Sequence, residues 1–135
     1  MRRLFPLVAV MLVAGCGGPT DPAPPDTGAK AAGEGFFSAL VANDPARAYA
    51  LLDPDTRKRV SADQFATLAR TYLRRVGFPV EHVYVRASEE QGDRATVHVT
   101  LTGNGGGHTR RYADGVTLRR EAGVWSVVLP VTFGK

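Results

Sequence analysis

From residue 29 onward the apolar positions recur every three to four residues. Ala32, Phe36 and Leu40 fall four apart, with Phe37 and Val41 beside them. This stripe predicts a helix beginning at Ala29 and stopping at Asn43-Asp44-Pro45. Gly33 and Gly35 lower its intrinsic propensity, so packing against the rest of the chain must hold it. Asp44 reads as an N-cap and Pro45 as the first helical residue of a short second helix through Ala48, Tyr49, Leu51 and Leu52, broken at Asp53-Pro54-Asp55. The third helix carries fuller signals. Ser61-Ala62-Asp63-Gln64 forms a capping box, and Val60 and Phe65 are spaced as a hydrophobic staple. Phe65, Leu68, Ala69, Tyr72, Leu73 and Val76 make its buried stripe. Gly77 suits the left-handed position that ends a helix, and Pro79 bars continuation.

After Pro79 the period changes to two. Val80 to Ala87 reads as a strand, followed by a turn at Glu89-Glu90-Gln91-Gly92-Asp93. From Arg94 to Thr102, Ala95, Val97, Val99 and Leu101 alternate with Thr96, His98 and Thr100. A flexible loop is expected over Gly103 to Gly107, then a strand from His108 to Arg120, bulged or bent near Asp114-Gly115. A turn at Glu121-Ala122-Gly123 leads to a last strand, Val124 to Thr132. Helices followed by a meander predict an α+β fold: three helices packed on one face of a curved four-stranded antiparallel sheet.

The segment before this domain has a different character. Arg2 and Arg3 precede an almost wholly apolar run from Leu4 to Ala14, which has the build of a secretory signal and is too short to span a bilayer. It ends in Leu12-Val13-Ala14-Gly15-Cys16, a string that resembles the bacterial lipobox. The resemblance implies cleavage between Gly15 and Cys16 and a diacylglycerol on the Cys16 thiol, so that residues 1–15 are removed. Two or more acyl chains anchor stably where one binds only marginally. Residues 16–28 then hold four prolines and three glycines between Gly17 and Gly28, which excludes a helix or central strand. As an extended tether they could set the domain, residues 29–135, about 30–40 Å from the bilayer. The expected location is the cell envelope outside the cytoplasm. In a Gram-negative host, Gly17 after the cysteine leans towards the periplasmic side of the outer membrane.

Composition narrows the function. The 135 residues are 44% hydrophobic and 22% charged, as in an ordinary globular chain. The formal charge is +4, but loss of Arg2 and Arg3 with the leader leaves 15 basic against 13 acidic side chains, or +2. The basic clusters Arg57-Lys58-Arg59 and Arg70/Arg74/Arg75 read as solvated helix faces, and no nucleic-acid partner is expected. A single cysteine excludes an internal disulfide and a thiol-rich metal site. His82, His98 and His108 lack metal-ligand spacing, and no metal or other cofactor is expected. Gly105-Gly106-Gly107 has no helix start behind it to make a phosphate cradle.

Three helices and a curved meander resemble the cone-shaped superfamily named for nuclear transport factor 2, which includes ketosteroid isomerase and scytalone dehydratase. The resemblance covers about residues 29–133. It is carried by Gly35-Phe36-Phe37-Ser38-Ala39-Leu40, by Asp44-Pro45 with Ala48-Tyr49-Ala50-Leu51-Leu52, and by Gly123-Val124-Trp125-Ser126-Val127. It implies a pocket between sheet and long helix, and an outer sheet face able to form a homodimer.

Phe36, Tyr49, Tyr72, Tyr84 and Trp125 are the candidate pocket residues. Tyr49 and Tyr72 also fit as core tyrosines with satisfied hydroxyls. His98 falls on the outer sheet face, Glu34 on the exposed side of the first helix, and the burial of the His82/Tyr84 face stays open. No catalytic residue is assigned. The expected function is a membrane-tethered lipoprotein domain that binds a small apolar ligand or an envelope protein without catalysis. The alternatives are a small cofactor-free isomerase or dehydratase using the cone, and a structural accessory role with the cone filled by side chains such as Phe36, Tyr72 and Trp125.

Overall fold

A computed structural model describes residues 25–135. The leader, Gly15, Cys16 and most of the tether lie outside the described residues. Four helices precede four strands: α1 (Ala29–Val41), α2 (Pro45–Ala50), α3 (Pro54–Arg59), α4 (Ala62–Val76), β1 (Val80–Gln91), β2 (Arg94–Gly105), β3 (His108–Glu121) and β4 (Val124–Val128). The strands form one antiparallel meander in the order β1-β2-β3-β4. The helices pack on its concave face, as the alternation in β2 requires: Ala95, Val97, Val99 and Leu101 are all buried there.

The capping box at Ser61 and Gln64 forms in both directions, at 3.2 and 2.9 Å. Gly77 ends α4 in the left-handed conformation at φ 84°. Gly33 of α1 is the point of closest approach to the sheet. A Cβ there would lie 2.8 Å from the Val97 side chain, so the residue that weakens the helix is the one that lets it dock.

Several expectations are corrected. Asp53-Pro54-Asp55 does not only break α2; it opens a further helix, α3. The Asp53 carboxylate, 3% exposed, accepts from Thr56 N–H at 3.1 Å with Pro54 in the first turn. The bulge expected near Asp114-Gly115 is absent, because β2 and β3 pair without a register shift from Arg94↔Arg119 to Gly105↔His108. Gly115 is there for space: a Cβ would lie 3.0 Å from His98 Nδ1 and 3.1 Å from the Val97 carbonyl. The register shifts fall in β1 instead, at Glu81 and Arg86, where extra residues bend the strand. Gly103 to Gly107 is not a loop. The strands continue to the Gly105↔His108 pair, closed by Gly106 and Gly107 at φ 64° and 79°. Two consecutive positive φ values make this a tight hairpin turn.

The last strand stops at Val128, short of Thr132. Leu129 leaves the ladder because α3 takes both of its backbone groups. Its N–H donates to the Thr56 hydroxyl at 3.3 Å, and its carbonyl accepts from Arg59 Nη2 at 2.7 Å. The next residue, Pro130, has no N–H with which to rejoin the sheet. The outer edge of β4 is itself covered, since Asp53 N–H donates to the Val127 carbonyl and Val127 N–H to the Leu51 carbonyl at 2.9 and 2.8 Å. No described helix is long and apolar enough to cross a membrane.

Candidate functional site

The five candidate pocket residues separate into three places. Phe36 and Tyr72 join one aromatic cluster inside the concavity, together with Phe65 and Phe133. The Phe133 ring stacks 5.1 Å from Tyr72 and 5.9 Å from Phe65, and lies 6.2 Å from Phe36. Tyr49 borders this cluster, 5.8 Å from Phe65, and its hydroxyl donates to the Val60 carbonyl at 2.9 Å, tying α2 to the start of α4. Trp125 is buried by the start of α1, where its Nε1 donates to Thr27 Oγ1 at 3.0 Å and Arg120 covers its ring at 5.2 Å. Tyr84 is 55% exposed on the convex face, 5.9 Å from His82. Ring packing therefore fills the concavity where an open pocket was expected, and Phe133, a residue the strand pattern passed over, completes it.

One polar pair lies on this inner surface. Asp114 alternates with Tyr112 and Val116 on β3 and pairs across to Val99, which turns it towards the helices. Tyr72 Oη donates to Asp114 Oδ2 at 2.7 Å, and Asp114 Oδ1 accepts from Gly115 N–H at 2.7 Å. Burial pushes the Tyr72 hydroxyl far above the usual tyrosine range, and the hydrogen bond to Asp114, its charge and that of Tyr112 push the same way. The pair couples a phenol locked in its protonated form to a satisfied carboxylate. Period two along β3 was the signal for Asp114, hidden by the expected bulge.

The widest apolar opening lies beside the concavity. The residues after β4 cross the end of α4, and Gly134 presses on it so closely that a Cβ would meet the Leu68 carbonyl at 2.6 Å. Between this closing segment and α3 and α4 is a cavity of about 540 Å³, with Val60, Leu68, Leu129, Pro130, Val131 and Phe133 as its apolar wall. Arg59, Gln64, Thr67 and Lys135 supply its polar atoms. Phe133 is thus a partition, with one side on the aromatic cluster and the other on the cavity. None of the five candidate residues lines it.

On the convex face a second opening of about 550 Å³ is bordered by His82, Tyr84, Thr100, Thr102 and Arg111. His98 is half-buried beside Gly115, and His108 is exposed at the hairpin turn. Among the described residues no three His, Cys, Asp or Glu side chains are grouped to hold a metal ion. Glu34 is exposed. Every buried side-chain nitrogen and oxygen among the described residues has a hydrogen-bond partner.

No family model matches the chain, and no curated protein matches it in sequence. Solved structures do. A Campylobacter jejuni protein named as an NTF2-like transpeptidase aligns with TM-score 0.58 and 16% identity, over 72% of this chain and 94% of that one. A Thiobacillus denitrificans protein named as a calcium/calmodulin-dependent protein kinase type II association domain aligns with TM-score 0.55 and 20% identity, over 80% and 94%. A SEC-C motif containing protein from Rhodopseudomonas palustris aligns with TM-score 0.51 and 22% identity, over 67% of each chain. At these identities the likeness is one of fold. The chain has the nuclear-transport-factor-2-like fold, helices on a curved four-stranded antiparallel sheet.

Proposed function

We propose that this is a lipid-tethered, non-catalytic binding domain whose ligand is a small apolar molecule held between α4 and the closing segment. The observation that carries this reading is the cavity beside Phe133. Its volume of about 540 Å³ falls within the range of small-ligand sites, and its walls are apolar with a few polar groups at hand. The interior of the concavity is already occupied by aromatic rings, so the reading places the ligand at its rim. The fold is compatible with such a role. The anchor rests on the lipobox string at Cys16 and the proline-rich residues after it.

Native mass spectrometry of the protein, extracted gently from its host's membranes, tests both parts. The expected result is a mass that includes a lipid on an N-terminal Cys16 and a co-purifying small molecule. An unmodified Cys16 would overturn the anchor. A ligand-free protein that also binds no apolar probe at the cavity would overturn the binding role.

The Tyr72–Asp114 pair favours a second reading, an isomerase- or dehydratase-type enzyme. A phenol kept protonated beside a carboxylate is able to donate a hydrogen bond to a developing oxyanion. Phe133 covers Tyr72 in this conformation, so the reading requires the closing segment to move away. Turnover that survives in wild type and is lost in Tyr72→Phe, with the fold intact, would replace the first reading with this one.

A further inference from the structure

The wall of the cavity beside Phe133 carries charge of one sign only. Arg59 and Lys135 line it, Gln64 and Thr67 are neutral, and no carboxylate contributes to the lining. Arg59 is held in place: its Nη2 donates to the Leu129 carbonyl at 2.7 Å, which leaves other guanidinium N–H groups for a ligand. The residues before it, Arg57 and Lys58, add positive charge in the last turn of the same helix. A neutral apolar ligand would make no use of these cations.

We infer that the ligand is a single-chain amphiphile with a carboxylate head, of the fatty-acid class. Its tail lies against Val60, Leu68, Leu129 and Phe133, and its head meets Arg59 and Lys135. The inference rests on the proposed binding role of this cavity and adds the charge of the ligand. Charge complementarity selects the head, because a carboxylate paired with arginine or lysine gains charge-assisted hydrogen bonds that an alcohol does not. Cavity size selects the tail, since a volume of about 540 Å³ suits one small ligand.

The test uses the native protein in phosphatidylcholine nanodiscs. A photoreactive dodecanoate with a diazirine on its chain is compared with the matching dodecanol, and labelled peptides are mapped by mass spectrometry. Dodecanoate is expected to label peptides containing Leu68 and Val131 to Phe133 about tenfold more than dodecanol. Lys135→Glu, at an exposed position, should remove most of that preference without affecting the fold. Equal labelling by acid and alcohol would overturn the anionic head and leave an apolar-ligand site standing. Absence of labelling at these peptides by either probe would overturn the inference together with the binding role.

Discussion

Tyr72 Oη and Asp114 Oδ2, 2.7 Å apart, tie the middle of α4 to the concave face of β3. The bond crosses from helix layer to sheet layer where all the surrounding contacts are non-directional, so it sets the register of one layer on the other. Losing it in Tyr72→Phe should cost about 1.5–3 kcal/mol, the range for a hydrogen bond to a charged group. The raised pKa of Tyr72 adds a signature at high pH. A group whose folded pKa exceeds its unfolded value contributes fully below the unfolded value, about 10 for tyrosine, and loses that contribution as pH rises above it. Urea melts at pH 8 and pH 11 should therefore show a smaller alkaline loss in Tyr72→Phe than in wild type. An equal loss in both proteins would mean that Tyr72 does not carry it.

Phe133 is the one aromatic residue that touches Phe36, Phe65 and Tyr72 together. Phe133→Ala should cost about 3 kcal/mol, at the low end for a buried phenylalanine, because the closing segment can settle into part of the space. It should also relieve the burial of Tyr72, bringing its ionisation back towards the ordinary range. Alkaline absorbance of the folded variant would show this as a phenolate signal that wild type lacks.

The two glycines of α1 should respond with opposite signs. Gly35→Ala places its methyl 3.7 Å from Leu51, an ordinary contact, and should stabilise by about 0.5–1 kcal/mol through helix propensity. Gly33→Ala meets Val97 at 2.8 Å, and overpacking of about 1–3 kcal/mol should outweigh the same gain. Thermal melts of the two variants decide it; the same sign in both would contradict the direct seating of α1 on β2.

Glu90 serves α1 in place of a missing N-cap, since Gly28 has no side chain to offer. Its carboxylate accepts from Thr27 N–H and Thr27 Oγ1 at 2.8 Å each and from Ala29 N–H at 3.2 Å. Desolvation opposes the charge, but these bonds and Arg120 prevail and hold the carboxyl below the usual glutamate range. A depressed carboxyl contributes above its unfolded pKa of about 4.3 and loses that contribution as pH falls through the lower folded value. Exchange protection of the Thr27 and Ala29 amides should accordingly fall between pH 6 and pH 3 in wild type. Glu90→Gln should be poorly protected at both.

Ser61→Ala should lower stability by about 0.5–2 kcal/mol, the range for losing an N-cap. A denaturant midpoint unchanged from wild type would show that Gln64 and solvent replace the hydroxyl.

The features that could be read along the chain are those whose causes lie within a few residues of each other. The capping box at Ser61, the left-handed stop at Gly77 and the alternation from Ala95 to Leu101 depend on local backbone chemistry, and each appears as expected. The turn at Gly106-Gly107 and the start at Asp53-Pro54 were also local, but each motif admits two outcomes: a glycine run can be loop or tight turn, and a proline can end one helix or open another.

What could not be read depends on contacts between distant segments. Leu129 looks like strand until Thr56 and Arg59, about seventy residues earlier, take its backbone groups. Phe133 then turns inward and fills the space that a pattern of inward-facing aromatics makes look like a pocket. Periodicity tells which face of an element is apolar, and so it fixes the layers of this fold. It carries no information on whether the space between the layers is empty, because that is settled by side-chain volumes arriving from elements remote in sequence.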